Sequence, residues 1–230
     1  MKKPSSMTYF FDLDNTLIDD DRAMDVYLNR IFLQYQSVLP YPALDEFKRT
    51  WSAAVDRYFK KYVAGEITFQ EQRRHRIRDV FRLESPDLPV VDEILNNFVR
   101  YYEDAWCPYP DTLSTLQKVR PRKIGLITNG DSRQQRQKIA SLGIGEFLDV
   151  ICISSELGLS KPDPAIFRFA CDKLGVSPAE SYFVGDRIDL DVKGSFSAGL
   201  KPVWVNRKKE PAPPVPGLIV VDNLSGIPLD

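Results

Sequence analysis

The stretch FFDLDNTLID, residues 10–19, decides the fold. Phe10 and Phe11 close an apolar run from Tyr9 that reads as a strand covered on both faces, and Asp12 and Asp14 come next, where that strand must stop. A buried carboxylate is costly unless it is hydrogen-bonded, paired or bound to a metal. Two acids at the end of a buried strand therefore need partners from elsewhere in the chain. Residues two apart on extended backbone project to the same side, so both carboxylates can serve one ligand.

Working outward, four further runs have the same short, nearly continuous apolar character: Ile124 to Thr128, Val150 to Ser154, Tyr182 to Gly185 and Val203 to Val205. Leu218 to Val221 supplies a possible last strand after the proline-rich loop that begins at Asn206. Helical patterns lie between them, at Asp111 to Val119, Arg133 to Leu142, Pro164 to Leu174 and Asp191 to Ala198, with Asp163 placed to cap the third of these ahead of its first-turn proline. Alternation of this kind predicts an α/β fold, a doubly wound parallel sheet of Rossmann-like design.

Residues 18–108 break the rhythm. They are rich in aromatic and charged residues and patterned helically, as in Phe47, Trp51, Ala54, Val55, Tyr58, Phe59 and Tyr62. The segment reads as an all-helical insertion, joined through Leu17 to Asp21 on one side and Cys107-Pro108-Tyr109-Pro110 on the other. The expected division is residues 1–17 with 109–230 as the sheet domain and 18–108 as the insertion. No internal repeat is evident.

Composition narrows the function. The chain has 230 residues, 43% hydrophobic and 27% charged, with a formal net charge of -1, so no general basic field recruits a nucleic acid polymer or an anionic membrane. The apolar part of MKKPSSMTYFFDLD is cut by Asp12 before it could act as a signal-peptide core, and no run approaches the roughly 20 apolar residues of a membrane span. Cys107, Cys152 and Cys171 are an odd, scattered set that suits reduced thiols, and a cytoplasmic location is expected. His75 is the only histidine, which argues against a two-histidine zinc site, a two-histidine phosphate mechanism or a Ser-His-Asp triad built on another histidine. Cysteine-dependent phosphatase chemistry is disfavoured too, since Leu113, Gly158 and Ser177 stand where an arginine should come after each cysteine. Leu200 after Gly199 rules out a phosphate-binding P-loop, and Leu148 replaces the third glycine of a dinucleotide fingerprint.

In an open parallel sheet, ligands bind beyond the carboxyl ends of the strands. The polar residues beyond successive strands here are Asp12 and Asp14, then Thr128 and Asn129, then Ser154 and Ser155 with Lys161 a little later, then Asp186, Asp189 and Asp191. Carboxylates crowded on one rim repel one another and take up protons unless a cation joins them. A hard, oxygen-seeking ion such as Mg2+ fits, and it commonly bridges a carboxylate pair to a phosphate. Lys161, Thr128 and main-chain N–H groups would hold the remaining phosphate oxygens. The inferred partner is a small phosphorylated molecule.

DxD alone is weak, because Asp19 with Asp21 and Asp189 with Asp191 repeat the spacing. The combined order is specific: Asp12-Leu13-Asp14-Asn15-Thr16, then Thr128-Asn129, then Lys161, then Gly185-Asp186 with Asp191. It resembles the haloacid dehalogenase-like hydrolase superfamily along the whole sheet domain, and the helical insertion after the first motif is similar to that superfamily's C1-type cap. DLDNTL and the cap placement resemble the branch of pyrimidine 5'-nucleotidases, N-acylneuraminate-9-phosphatases and phosphoglycolate phosphatases.

The resemblance implies that Asp12 attacks phosphorus to form an aspartyl-phosphate, and that Asp14 gives a proton to the departing alcohol and later takes one from water. It also implies phosphate-binding roles for Thr128, Asn129 and Lys161, and Mg2+ ligands in the Asp12 carboxylate, the Asp14 carbonyl, Asp186 and Asp191. Dehalogenases of the superfamily lack the second acid, which favours phosphate esters here. The reaction implied is Mg2+-dependent hydrolysis of a small phosphorylated metabolite, a nucleotide or sugar phosphate. A sugar phosphotransferase or mutase uses the same residues, and a non-catalytic phospho-ligand-binding protein is a third reading. Asn15 replaces a common glycine, Arg187 a common small hydroxyl residue, and neither Arg187 nor Asp189 receives a role. The run Arg73-Arg74-His75-Arg76-Ile77-Arg78 reads either as a solvated helix face, with Ile77 and Phe81 turned inward, or as arginines gripping a second anionic group of the substrate. A monomer and a homodimer fit equally.

Overall fold

A computed structural model describes residues 7–83 and 88–229; Met1 to Ser6, which carry the start of the leader reading and of the first expected domain, lie outside the described residues. The elements in chain order are β1 (Thr8–Phe11), α1 (Asp20–Tyr35), α2 (Leu44–Val63), α3 (Phe69–Phe81), α4 (Leu88–Glu103), α5 (Thr112–Val119), β2 (Ile124–Thr128), α6 (Ser132–Ser141), β3 (Val150–Ile153), α7 (Ser154–Leu157), α8 (Pro164–Leu174), β4 (Ser181–Gly185), α9 (Lys193–Ala198), β5 (Lys201–Val205) and β6 (Ile219–Val221). The strands form one six-stranded sheet in the order β3-β2-β1-β4-β5-β6. Every pairing is parallel, so the α/β sheet anticipated from the apolar runs is the fold observed.

Register explains why the polar rim forms. Phe11 lies opposite Leu126 on β2 and Val184 on β4, and Thr128 lies opposite Ile153, so the carboxyl ends of β3, β2, β1 and β4 finish within about two residues of one another. β1 is the switch point of the winding, the place where such sheets open a crevice. Its residues alternate between two cores. Tyr9 and Phe11 join Leu126, Val184 and Val203 on one face, whereas Phe10 joins Ile127, Phe167 and Phe183 on the other. Each of these fully buried rings contributes about 2–3 kcal/mol of burial, which holds the strand that carries Asp12.

The contacts divide the chain into two units, Met1–Asp20 with Cys107–Asp230, and Asp21–Trp106. The boundaries fall inside the expected 18–108 because Ile18 bridges Pro108 and the Asp19 N–H donates to the Cys107 carbonyl at 3.0 Å, which ties both joints to the sheet unit. α8 begins as expected: the Asp163 carboxylate accepts the Ala165 N–H at 2.9 Å, with Pro164 in the first turn. The helix expected from Asp191 instead starts as a π-helical turn, Ile188–Val192, before α9 takes over. The physical reason is Asp191, whose carboxylate is drawn back onto the Arg187 N–H.

The helical unit has its own core of Tyr27, Phe47, Trp51, Ile77, Val91 and Phe98. Tyr27 meets Phe98, Tyr102 and Trp51 edge-on, at ring separations of 4.3, 5.5 and 5.8 Å. α3 opens with a capping box between Thr68 and Glu71. Its basic run departs from a solvated face at one position: Arg76 is buried, one residue before buried Ile77 and one turn after buried Gln72, to whose carbonyl and side chain it donates. Arg74 makes a two-pronged pair with Asp92, both contacts at 2.7 Å, while His75 stacks on Tyr58 at 5.2 Å. No helix among the described residues is long and apolar enough to cross a membrane. Cys107, Cys152 and Cys171 form no disulfide among the described residues, and burial pushes the Cys152 and Cys171 thiols up to about 11.

Candidate active site

The buried end of β1 delivers Asp12 to a lysine. Its Oδ1 lies 2.6 Å from Lys161 Nζ, and the same ammonium lies 2.7 Å from Asp191 Oδ1; all three side chains are less than a tenth exposed. The other Asp191 oxygen accepts the Arg187 N–H at 2.9 Å. Gly185 is what lets Asp191 stand there, because a Cβ at that position would fall 2.4 Å from its carboxylate. Asp186 comes directly after, its main chain fixed by Trp204 Nε1 donating to its carbonyl at 2.8 Å.

Asp12, Asp186 and Asp191 each offer one oxygen, and these oxygens lie within 4.8 Å of one another. Asp186 Oδ1 is buried with no hydrogen-bond partner. An orphaned carboxylate oxygen beside two other acids fits a hard cation in both chemistry and charge, so the donor set suits Mg2+. Burial pushes the Asp12 carboxyl up to about 7, with Asp191 and Asp14 adding to the rise and Lys161 opposing it. Burial likewise takes Asp186 up to about 8, reinforced by Asp12 and Asp191. For Lys161 burial works against the charge, but Asp12 and Asp191 outweigh it and hold the ammonium above the ordinary lysine range.

Thr128 ends β2 buried, its hydroxyl accepting from Gln135 Nε2 at 2.7 Å. The Asn129 side chain hydrogen-bonds to the loop that carries Lys161. Its Nδ2 donates to the Lys161 carbonyl at 2.9 Å and its Oδ1 accepts the Lys161 N–H at 2.8 Å, so the amide is committed to holding the lysine's backbone. Ser154 acts similarly on the neighbouring loop, accepting the Gly130 N–H at 2.9 Å, whereas Ser155 is exposed. Arg187 turns outward to Asp189 at 3.1 Å with both side chains more than half exposed, which places that pair at the surface.

A sequence model of haloacid dehalogenase-like hydrolases matches residues 7–199. The chain belongs to that family. Over 202 residues, 86% of this chain and 84% of the relative, this family member is 31% identical to a pyrimidine 5'-nucleotidase of Escherichia coli. It is 42% identical over 104 residues to a glyceraldehyde 3-phosphate phosphatase of Methanopyrus kandleri, a match that spans 44% of this chain and less than half, 45%, of that relative's length. Among solved structures, a Bacillus subtilis haloacid dehalogenase-type hydrolase bound to magnesium shares the fold with a TM-score of 0.76, covering 95% of each chain at 20% identity.

Asp14 stands apart from the acid cluster of this hydrolase. Its side chain is 31% exposed, its Oδ1 lies 2.6 Å from Lys138 Nζ, and its Oδ2 accepts from Gln135 Nε2 at 2.9 Å. Asn15 beside it adopts a left-handed φ of 58°, a conformation asparagine tolerates and most residues do not. Lys138, 2% exposed, also reaches Asp20 at 2.8 Å. Neither Gln135 nor Lys138 stands out in the sequence. The signal is present but indirect: they lie three apart on α6, the helix after the Thr128-Asn129 motif, and a lysine on a buried helix face needs an acid.

Proposed function

We propose that the chain is a Mg2+-dependent phosphomonoesterase acting on a small phosphorylated metabolite of the nucleotide or sugar phosphate class. The observation that carries this reading is Asp12, held 2.6 Å from a buried ammonium at the switch point of the sheet, with two further acids alongside. Asp12 Oδ attacks phosphorus and the bond to the leaving oxygen breaks; Asp14 gives that oxygen its proton. Asp14, now ionised, takes a proton from water, whose oxygen attacks phosphorus and releases Asp12. Lys161 and the Thr128 hydroxyl bind phosphate oxygens, and the Asn129 amide holds Lys161 in place. Asp12, Asp186 and Asp191, with the Asp14 carbonyl, would hold Mg2+, which when bound screens the acids from the incoming phosphate.

Hydrolysis is favoured over phosphoryl transfer to a sugar because the Escherichia coli and Methanopyrus kandleri relatives carry nucleotidase and phosphatase names. The helical unit serves as the C1-type cap and selects the substrate. A cytoplasmic setting is supported by three cysteines that form no disulfide among the described residues. The test is Asp12→Asn, which keeps the shape of the side chain and removes the attacking oxyanion. Phosphate release from p-nitrophenyl phosphate with Mg2+ should be abolished while far-ultraviolet circular dichroism is unchanged; substantial residual turnover would sink the nucleophile assignment.

A further inference from the structure

We infer that Gln135 and Lys138 are positioning residues for proton transfer by Asp14, an inference that rests on the acid–base role proposed for Asp14. α6 brings both to one face, three residues apart. Each Asp14 oxygen receives its own donor: Lys138 Nζ on Oδ1 at 2.6 Å, Gln135 Nε2 on Oδ2 at 2.9 Å. Packing does not fix the Asp14 side chain, which is 31% exposed, so these two donors set its direction. The donors themselves are fixed, Lys138 at 1% and Gln135 at 1% residue exposure.

A buried ammonium is held only by its counter-charges. Lys138 has a second one in Asp20 at 2.8 Å, so its own position does not depend on Asp14 alone. Gln135 is likewise tethered, donating to Thr128 Oγ1 at 2.7 Å. The two lysines thus divide the acids: Lys161 holds Asp12 and Asp191, and Lys138 holds Asp14 and Asp20. A displacement of the proton donor by about 1 Å is worth about 100-fold in rate, so the role shows wherever the leaving oxygen needs its proton.

Phenyl phosphate and p-nitrophenyl phosphate are alike in shape and differ in that need, because phenolate is the stronger base. The comparison uses kcat/KM, which reports the first phosphoryl transfer, and the ratio of the two esters cancels any change in phosphate binding, including one caused by disturbing Thr128. Asp14→Ala sets the reference, with a larger loss on phenyl phosphate by at least about tenfold. Lys138→Met and Gln135→Leu should show the same bias, smaller than that of Asp14→Ala, and Lys138→Arg should recover part of it. Gln135→Leu removes no charge, so it carries the test if Lys138→Met does not fold. Equal losses on both esters in these variants, beside a biased Asp14→Ala, would overturn the positioning role and leave the proposed function standing. An unbiased Asp14→Ala would instead overturn the acid–base role and this inference with it.

Discussion

Replacing Lys161 by methionine removes the ammonium that lies against Asp12 and Asp191 and leaves two buried carboxylates near each other. The lost contacts are 2.6 and 2.7 Å long at side chains 8% and 1% exposed, so solvent cannot compensate. Breaking a buried pair in this way costs about 3–5 kcal/mol, which for a chain of this size is a fall of about 6–20 °C in melting temperature. The cost depends on pH with a definite sign. Burial has raised Asp12 to about 7 and Asp186 to about 8, against about 3.9 in an unfolded chain. The folded protein therefore binds more protons than the unfolded one from about pH 4 to pH 8, and without metal its stability falls as pH rises through that window. Lys161 opposes the rise at Asp12, so Lys161→Met lifts that carboxyl further and steepens the fall. Thermal melts in EDTA should show a smaller deficit for the variant at pH 5, where the acids are protonated, than at pH 8. A deficit below about 1 kcal/mol, or one equal at both pH values, would refute the reasoning.

Three further outcomes are expected. Gly185→Ala drives a Cβ to 2.4 Å from the Asp191 carboxylate, which is anchored at both oxygens, so it should cost about 1–3 kcal/mol in melts and depress kcat; wild-type stability and turnover would contradict the close approach. Arg74→Ala should leave KM for the best substrate within about twofold and stability within about 1 kcal/mol, because that guanidinium is spent on Asp92 at the surface; a tenfold rise in KM would restore the gripping role. Dialysis against EDTA should abolish turnover and Mg2+ should restore it, and turnover that survives the chelator would count against the metal reading of the acid cluster.

The sheet was legible because strands covered on both faces are apolar along most of their length, and β1, β2 and β4, buried at every position, carry only Thr8, Thr128 and Ser181 as polar residues. The meeting of Asp12, Lys161, Asp186 and Asp191 was legible for a related reason: parallel strands finishing near one another bring the residues beyond them to one rim. What escaped was the direction of side chains. Asn129 comes directly after Thr128, and nothing local shows that its amide reaches across 32 positions to the backbone of Lys161. Lys138 reaches Asp14 across 124 positions, and no local pattern distinguishes it from a solvated helical lysine. Arg76 looks like its neighbours in a basic run, although the helical period sets it beside Gln72 and Ile77 on the buried face.

The division of acids between two lysines gives the two groups different tasks. In the first, three carboxylates against Lys161 leave an excess of two negative charges, the charge one divalent cation would neutralise. Without that cation the group relieves itself by holding protons, which is the physical meaning of carboxyls raised to about 7 and about 8. A metal entering there must displace those protons, so acid competes with it. In the second group Lys138 leaves Asp14 and Asp20 an excess of one negative charge rather than two, and Asp14 keeps access to solvent. In the proposed roles, an acid that gives up a proton and takes one back in each cycle gains from access to water, whereas a nucleophile gains from burial beside the ammonium that orients it.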